Sequence, residues 1–198
     1  FCNASFPFVV YFGCLGAGYM FIEISSMQRF VLLLGSPIYS LTVVLSGLLI
    51  ATGLGSMSLP KLEKYFRTRT DLMTVAALTL MAYAVAAVFL GTRVFDCLMA
   101  YSFWIRILAV VAMIAPPGFL LGLFFPAGLQ VVSRNSRDAI AWAWGINGAF
   151  SVLGSILSII LAQFSGFSAV LLLGGALYLT ALLAFIRLEK RFSYSHGQ

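Results

Sequence analysis

From residue 139 to residue 186 the chain carries no charged side chain. As one straight helix that run would be about 70 Å long at 1.5 Å per residue, more than twice the ~30 Å hydrocarbon core of a bilayer. It is therefore expected to fold back on itself, and the stretch "QFSGFS" at 163–168 is the natural place. The rest of the sequence has the same character. A soluble domain has about 25% charged residues, whereas this chain has 9%, with 62% hydrophobic. Too few charges are present to solvate a globular surface, so the chain reads as an integral membrane protein. A membrane barrel would show alternating segments of about ten residues. These runs are continuous, which leaves helices.

Charges and turn residues divide the 198 residues into spans expected at about 7–34, 38–57, 72–91, 107–131, 139–162 and 169–186. They form a single all-α, polytopic domain of six transmembrane helices, followed by a tail at 187–198. The first span is long for one crossing, so tilt, a kink or an overhang is expected. Basic residues set the orientation. Lys61, Lys64, Arg67, Arg69, Arg134, Arg137, Arg187, Lys190 and Arg191 fall on one side, against Arg29, Arg93 and Arg106 on the other. Cytoplasmic loops carry the excess of Lys and Arg, so both termini are expected in the cytoplasm.

The net charge of +6 does not indicate nucleic acid. The basic residues sit in short clusters flanking apolar runs, with no basic patch interleaved with aromatics. Cys2, Cys14 and Cys97 show no CxxC spacing and no neighbouring histidine, and the one histidine, His196, lies in the polar tail. No metal site, disulfide framework or cofactor is expected from them. The chain begins with Phe and has no basic signal-peptide start, as a processed chain or the C-terminal part of a longer one would.

"GCLGAGYMFIEISSMQRF" at 13–30 is the stretch richest in chemistry. A dinucleotide loop needs different glycine spacing and a strand–turn–helix context, so these glycines are not a phosphate cradle. Gly16 and Gly18 are expected to let helices approach closely. Glu23 is different. A carboxylate within a spanning helix costs a few kcal/mol or more and usually faces a cavity or a partner. Helical spacing puts Gly16, Tyr19, Glu23 and Ser26 on one face, a polar stripe suited to a cation or proton. Arg29, six residues on, points elsewhere. The alternative is a structural carboxylate held by neighbouring helices.

A second stripe lies in "AWAWGINGAFSVLGSILS", where Trp144, Asn147, Ser151, Ser155 and Ser158 share a face. Gly145, Gly148 and Gly154 thin the helix beside it. Helix packing is the favoured reading, with Asn147 the member best suited to hydrogen-bond Glu23 or share a ligand with it. The fourth span contains Pro116, Pro117 and Gly118 and then "FFPAG" at 124–128. These read equally as a discontinuous helix at a site or as a bend around neighbours. Tyr39, Trp104 and Trp142 fit an interfacial aromatic belt. "LPKLEKYFRTRTD" at 59–71 reads as a solvated loop on anionic lipid.

On these residues the chain resembles the membrane domain of the spermidine-synthase-like membrane proteins, the major-facilitator/spermidine-synthase fusions. The resemblance is carried by "GAGYMFIEISSMQRFVLLLGSPIYSLTVVLSGLLIATGLGS", by "GLFFPAGLQ", and by "WAWGINGAFSVLGSILSIILAQFSGFSAVLLLGGALY". It implies half of a major-facilitator fold, in a bacterial cytoplasmic (inner) membrane. Family members commonly carry a soluble aminopropyltransferase-like domain. No region here is polar enough to be one, so the resemblance implies no catalytic residues and no catalysis by this chain alone. The expectation is a membrane module that binds or moves a small cation or amine, with Glu23, Tyr19, Ser26, Asn147, Trp144 and Ser151 as binding residues. The alternatives are a scaffold subunit of a larger membrane complex and the anchor of an enzyme domain. The bilayer is the expected partner, with other membrane subunits, a second half-bundle or a soluble enzyme domain beside it.

Overall fold

Gly35 and Gly166 punctuate the chain. Both have positive φ, 73° and 78°, a region that favours glycine because a Cβ is strained there. Gly35 ends the first helix, its N–H bonding the Val31 carbonyl at 2.8 Å, and Pro37 opens the second. In the computed structural model, which describes residues 6–133 and 137–194, the elements are α1 (Phe6–Leu34), α2 (Pro37–Leu62), α3 (Arg69–Met99), α4 (Phe103–Val132) and α5 (Arg137–Tyr194). All five are long and apolar enough to cross a membrane, and the described residues contain no strand.

Gly166 interrupts α5 with a non-helical backbone (φ 78°, ψ 161°). The arms on either side, 137–165 and 167–194, both pack on α1 but in opposite senses. Along the first arm, Asn147 meets Phe12 and Gly154 meets Ala17, so the two helices run in parallel. Along the second, Tyr178 meets Gly18 and Gly174 meets Ile22, which is antiparallel. The uncharged run therefore reverses at Gly166, inside the "QFSGFS" break.

α1 is the central helix, with 61% of its spanning window buried against 28% for α2. Tyr11, Phe12, Leu15, Ile22 and Leu33 make its core face. Its widest contact is with α5, while α2 packs chiefly on α4. The α2–α4 crossing is built from small residues. A Cβ on Gly55 would collide with the Phe119 carbonyl, and one on Gly122 with the Thr52 backbone. Gly118 fits against Ala51.

The helices overrun the apolar segments. α3 continues past Arg93 and Asp96 to Met99, and α4 begins before Arg106. Charge alone does not end a helix, and caps do. Thr68 and Asp71 form a capping box at the start of α3, and Arg106 Nη1 donates to the Leu33 carbonyl at the end of α1 at 3.1 Å, meeting an acceptor the helix leaves open. α4 runs without interruption through Pro116, Pro117 and Pro126, so the discontinuity lies in α5 instead. Pro117 has no N–H for the Met113 carbonyl, and the Tyr83 hydroxyl donates to that oxygen at 2.6 Å.

The two ends of the bundle differ in charge. The Thr70 hydroxyl bonds the Glu189 carboxylate, and Arg69 pairs with Glu63 at 2.6 Å. That end gathers Lys61, Lys64, Arg67, Arg69, Arg187 and Lys190, while Arg29, Arg93 and Arg106 belong to the other. Cys2, Arg134 and His196 lie outside the described residues, as do the side chains of Arg137 and Arg191. Tyr39, Trp104 and Trp142 are exposed.

Candidate functional site

α1 has 29 residues, a length of about 43 Å, which overhangs a ~30 Å hydrocarbon core by roughly 13 Å. Glu23 stands about 16 Å from the Leu34 end and about 26 Å from the Phe6 end at 1.5 Å per residue. However the overhang is shared, an upright α1 in a bilayer keeps Glu23 at hydrocarbon depth. Arg29, about 8 Å from the Leu34 end on the same rise, lies near the boundary.

Glu23 is 7% exposed and forms no hydrogen bond or ion pair with any described residue. Among the described residues, the fully enclosed polar side-chain atoms left without a partner are Nη1 of Arg29 and Nε of Arg106, and the Glu23 oxygens are not among them. Its carboxylate thus retains a small opening to the surface of the chain. Arg29 does not neutralise it. The guanidinium turns to α3, where Nη2 donates to the Ala87 carbonyl at 2.5 Å.

Tyr19, one turn before Glu23, lies within its electrostatic reach and beside the Thr52 side chain on α2. Glu23, Tyr19 and Thr52 form the polar group at this depth. Thr52 has no mark in the sequence that separates it from Thr42 or Ser46, because all three hydroxyls also bond their own helix, the usual fate of such residues. Ser26 faces α3, beside Arg29 and Tyr83, and is not part of that group.

The stripe on α5 lies at another level. Asn147 Nδ2 donates to the Phe12 carbonyl at 3.2 Å, and Ser151 Oγ to the Asn147 carbonyl at 2.8 Å. Eleven residues of α1, about 16 Å, separate Phe12 from Glu23. Asn147 therefore does not hydrogen-bond Glu23, and one small ligand does not span both. Trp144 is 59% exposed and meets Phe125 edge-on, with centroids 4.6 Å apart. Ser155 and Ser158 bond carbonyls of their own helix.

The small residues divide in two. Gly16 sits on the Asn147 carbonyl and Ser151, Gly18 on Tyr178, and Gly154 on Ala17, so these three bring helices close. Gly145 and Gly148 face open space, so within this chain they draw no helix in. Cys14 and Cys97 are free thiols. Among the described residues no three His, Cys, Asp or Glu side chains gather as metal ligands. No protein family, curated protein or solved structure matches the chain.

Proposed function

We propose that this chain is a six-span membrane module that binds or translocates a small cation or amine at Glu23. The Phe6 end of α1 and the Tyr194 end of α5 share the basic end of the bundle, which the positive-inside rule assigns to the cytoplasm. The observation that carries the proposal is the solitary carboxylate at hydrocarbon depth, open to the chain surface and without a counter-charge among the described residues. An uncompensated intramembrane carboxylate is costly unless a cation or proton accompanies it. An alkylammonium supplies both the charge and the hydrogen-bond donors. Tyr19 offers an aromatic face beside it, with Thr52 close by. The resemblance to the spermidine-synthase-like membrane proteins makes an amine the favoured cation. A half-bundle does not alternate access alone, so transport takes a second half or a second copy.

The test is saturable binding of spermidine and of a monoamine to the chain reconstituted in nanodiscs. We expect Glu23→Gln to weaken binding at least tenfold with the melting temperature unchanged or raised. Equal affinity in the variant, or no binding by the parent, overturns the proposal.

A second reading, a scaffold subunit or enzyme anchor, draws on the use of Asn147 and Ser151 in joining α5 to α1. It predicts that a membrane subunit or enzyme domain co-purifies from the source membrane and covers Glu23.

A further inference from the structure

The chain has six acidic residues, and Glu23 stands apart from the other five. Glu63 caps the end of α2, while Asp71 and Asp138 lie in the first turns of α3 and α5. Glu189 is bonded by Thr70 at the same basic end of the bundle. Asp96 is exposed near the far end of α3, one residue past Phe95. The Phe95 ring meets that of Phe30, with centroids 5.6 Å apart. Phe30 is seven residues beyond Glu23 on α1, about 10 Å, so Asp96 is no second ligand for a small molecule held at Glu23.

The charges along α1 sharpen this isolation. Towards the Leu34 end the next charge is Arg29, about 9 Å on, a guanidinium with no ion pair among the described residues. Towards the Phe6 end α1 has no charged residue at all.

We propose that the Glu23 site selects singly charged amines over polyamines, taking one ammonium and no more. This inference rests on the reading of Glu23 as an amine site. One carboxylate neutralises one charge, and an alkylamine leaves only an apolar chain to be placed in the bilayer. In a polyamine the second ammonium follows three or four carbons later. It remains at hydrocarbon depth without a counter-charge, repelled by Arg29 on one side and unanswered on the other, which is costly. Spermidine therefore binds through a terminal ammonium, but more weakly than a monoamine. A divalent metal ion, which takes about six oxygens or more, is as poorly matched, since no three His, Cys, Asp or Glu side chains gather among the described residues.

The experiment compares 1-aminobutane with 1,4-diaminobutane, alike in carbon chain and different by one charge, for binding to the parent and to Glu23→Gln in nanodiscs. We expect the monoamine to bind about tenfold more tightly or better in the parent, and the difference to vanish in Glu23→Gln. Met27→Glu, which adds a carboxylate one turn away on the same face, is expected to turn the preference towards the diamine. Should Met27→Glu not fold, the two amines on the parent and on Glu23→Gln decide. Binding of neither amine, or binding that Glu23→Gln leaves unchanged, overturns the Glu23 reading and this inference with it. Glu23-dependent binding in which the diamine equals or exceeds the monoamine overturns this inference alone. So does a monoamine preference of equal size in Glu23→Gln, which reports only partition into the bilayer.

Discussion

Several polar residues of the spanning helices are fixed by a carbonyl on another helix. Tyr83 is the clearest case, because its hydroxyl answers a carbonyl that Pro117 leaves without a donor. Tyr83→Phe is expected to lower stability by about 1 kcal/mol, within the range of interhelical hydrogen bonds in membranes, measured by denaturant unfolding in micelles. Pro117→Ala should soften that loss, since an alanine N–H supplies the missing donor. Glu23 is the opposite case, with no hydrogen-bond or ion-pair partner among the described residues. The sequence marks it as the one acidic residue of the first two apolar runs, but not its lack of partners, since Asn147 was equally placed to bond it by composition alone. The partners of Arg29 and Asn147 were not legible. Both bond backbone carbonyls on distant helices, Ala87 and Phe12, and a carbonyl acceptor leaves no mark in residue identity.

Helix contacts are set by where small residues coincide. Gly122→Leu would drive a side chain into the Thr52 backbone, so it is expected to cost roughly 1–3 kcal/mol and to disturb Thr52 beside Tyr19. Gly145→Leu meets open space and should change stability by no more than about 0.5 kcal/mol. Comparing the two variants in the same unfolding assay separates packing from helix propensity. Gly166→Ala places a Cβ on a backbone that only glycine adopts freely, for a cost of roughly 1–3 kcal/mol. The break at 163–168 was readable because no bilayer holds a 48-residue span, whereas the helix ends were less so. α3 and α4 carry Arg93, Asp96 and Arg106 inside their helices, and only a cap or a distant acceptor says where such a helix stops. The α2–α4 glycines are written in the sequence as plainly as those of α5, but spacing alone does not say which glycines face a neighbour. Gly145 and Gly148 show that.

At the scale of the whole molecule, the charge difference between the two ends predicts orientation. In a background without native cysteines, Tyr101→Cys and Ser165→Cys should react with an impermeant maleimide added outside intact cells, and Lys64→Cys only after permeabilisation. Labelling of position 64 from outside would invert the topology, and protection of position 165 would remove the turn at Gly166 from the outer surface. The central claim is that Glu23 is an unpaired intramembrane carboxylate available to a cation. The most direct measurement is its modification by a hydrophobic carbodiimide in the reconstituted chain, located by peptide mass spectrometry with and without spermidine. We predict a label at Glu23 that forms several-fold more slowly as the amine saturates. An unlabelled Glu23, or a labelling rate that the amine leaves unchanged, contradicts the account.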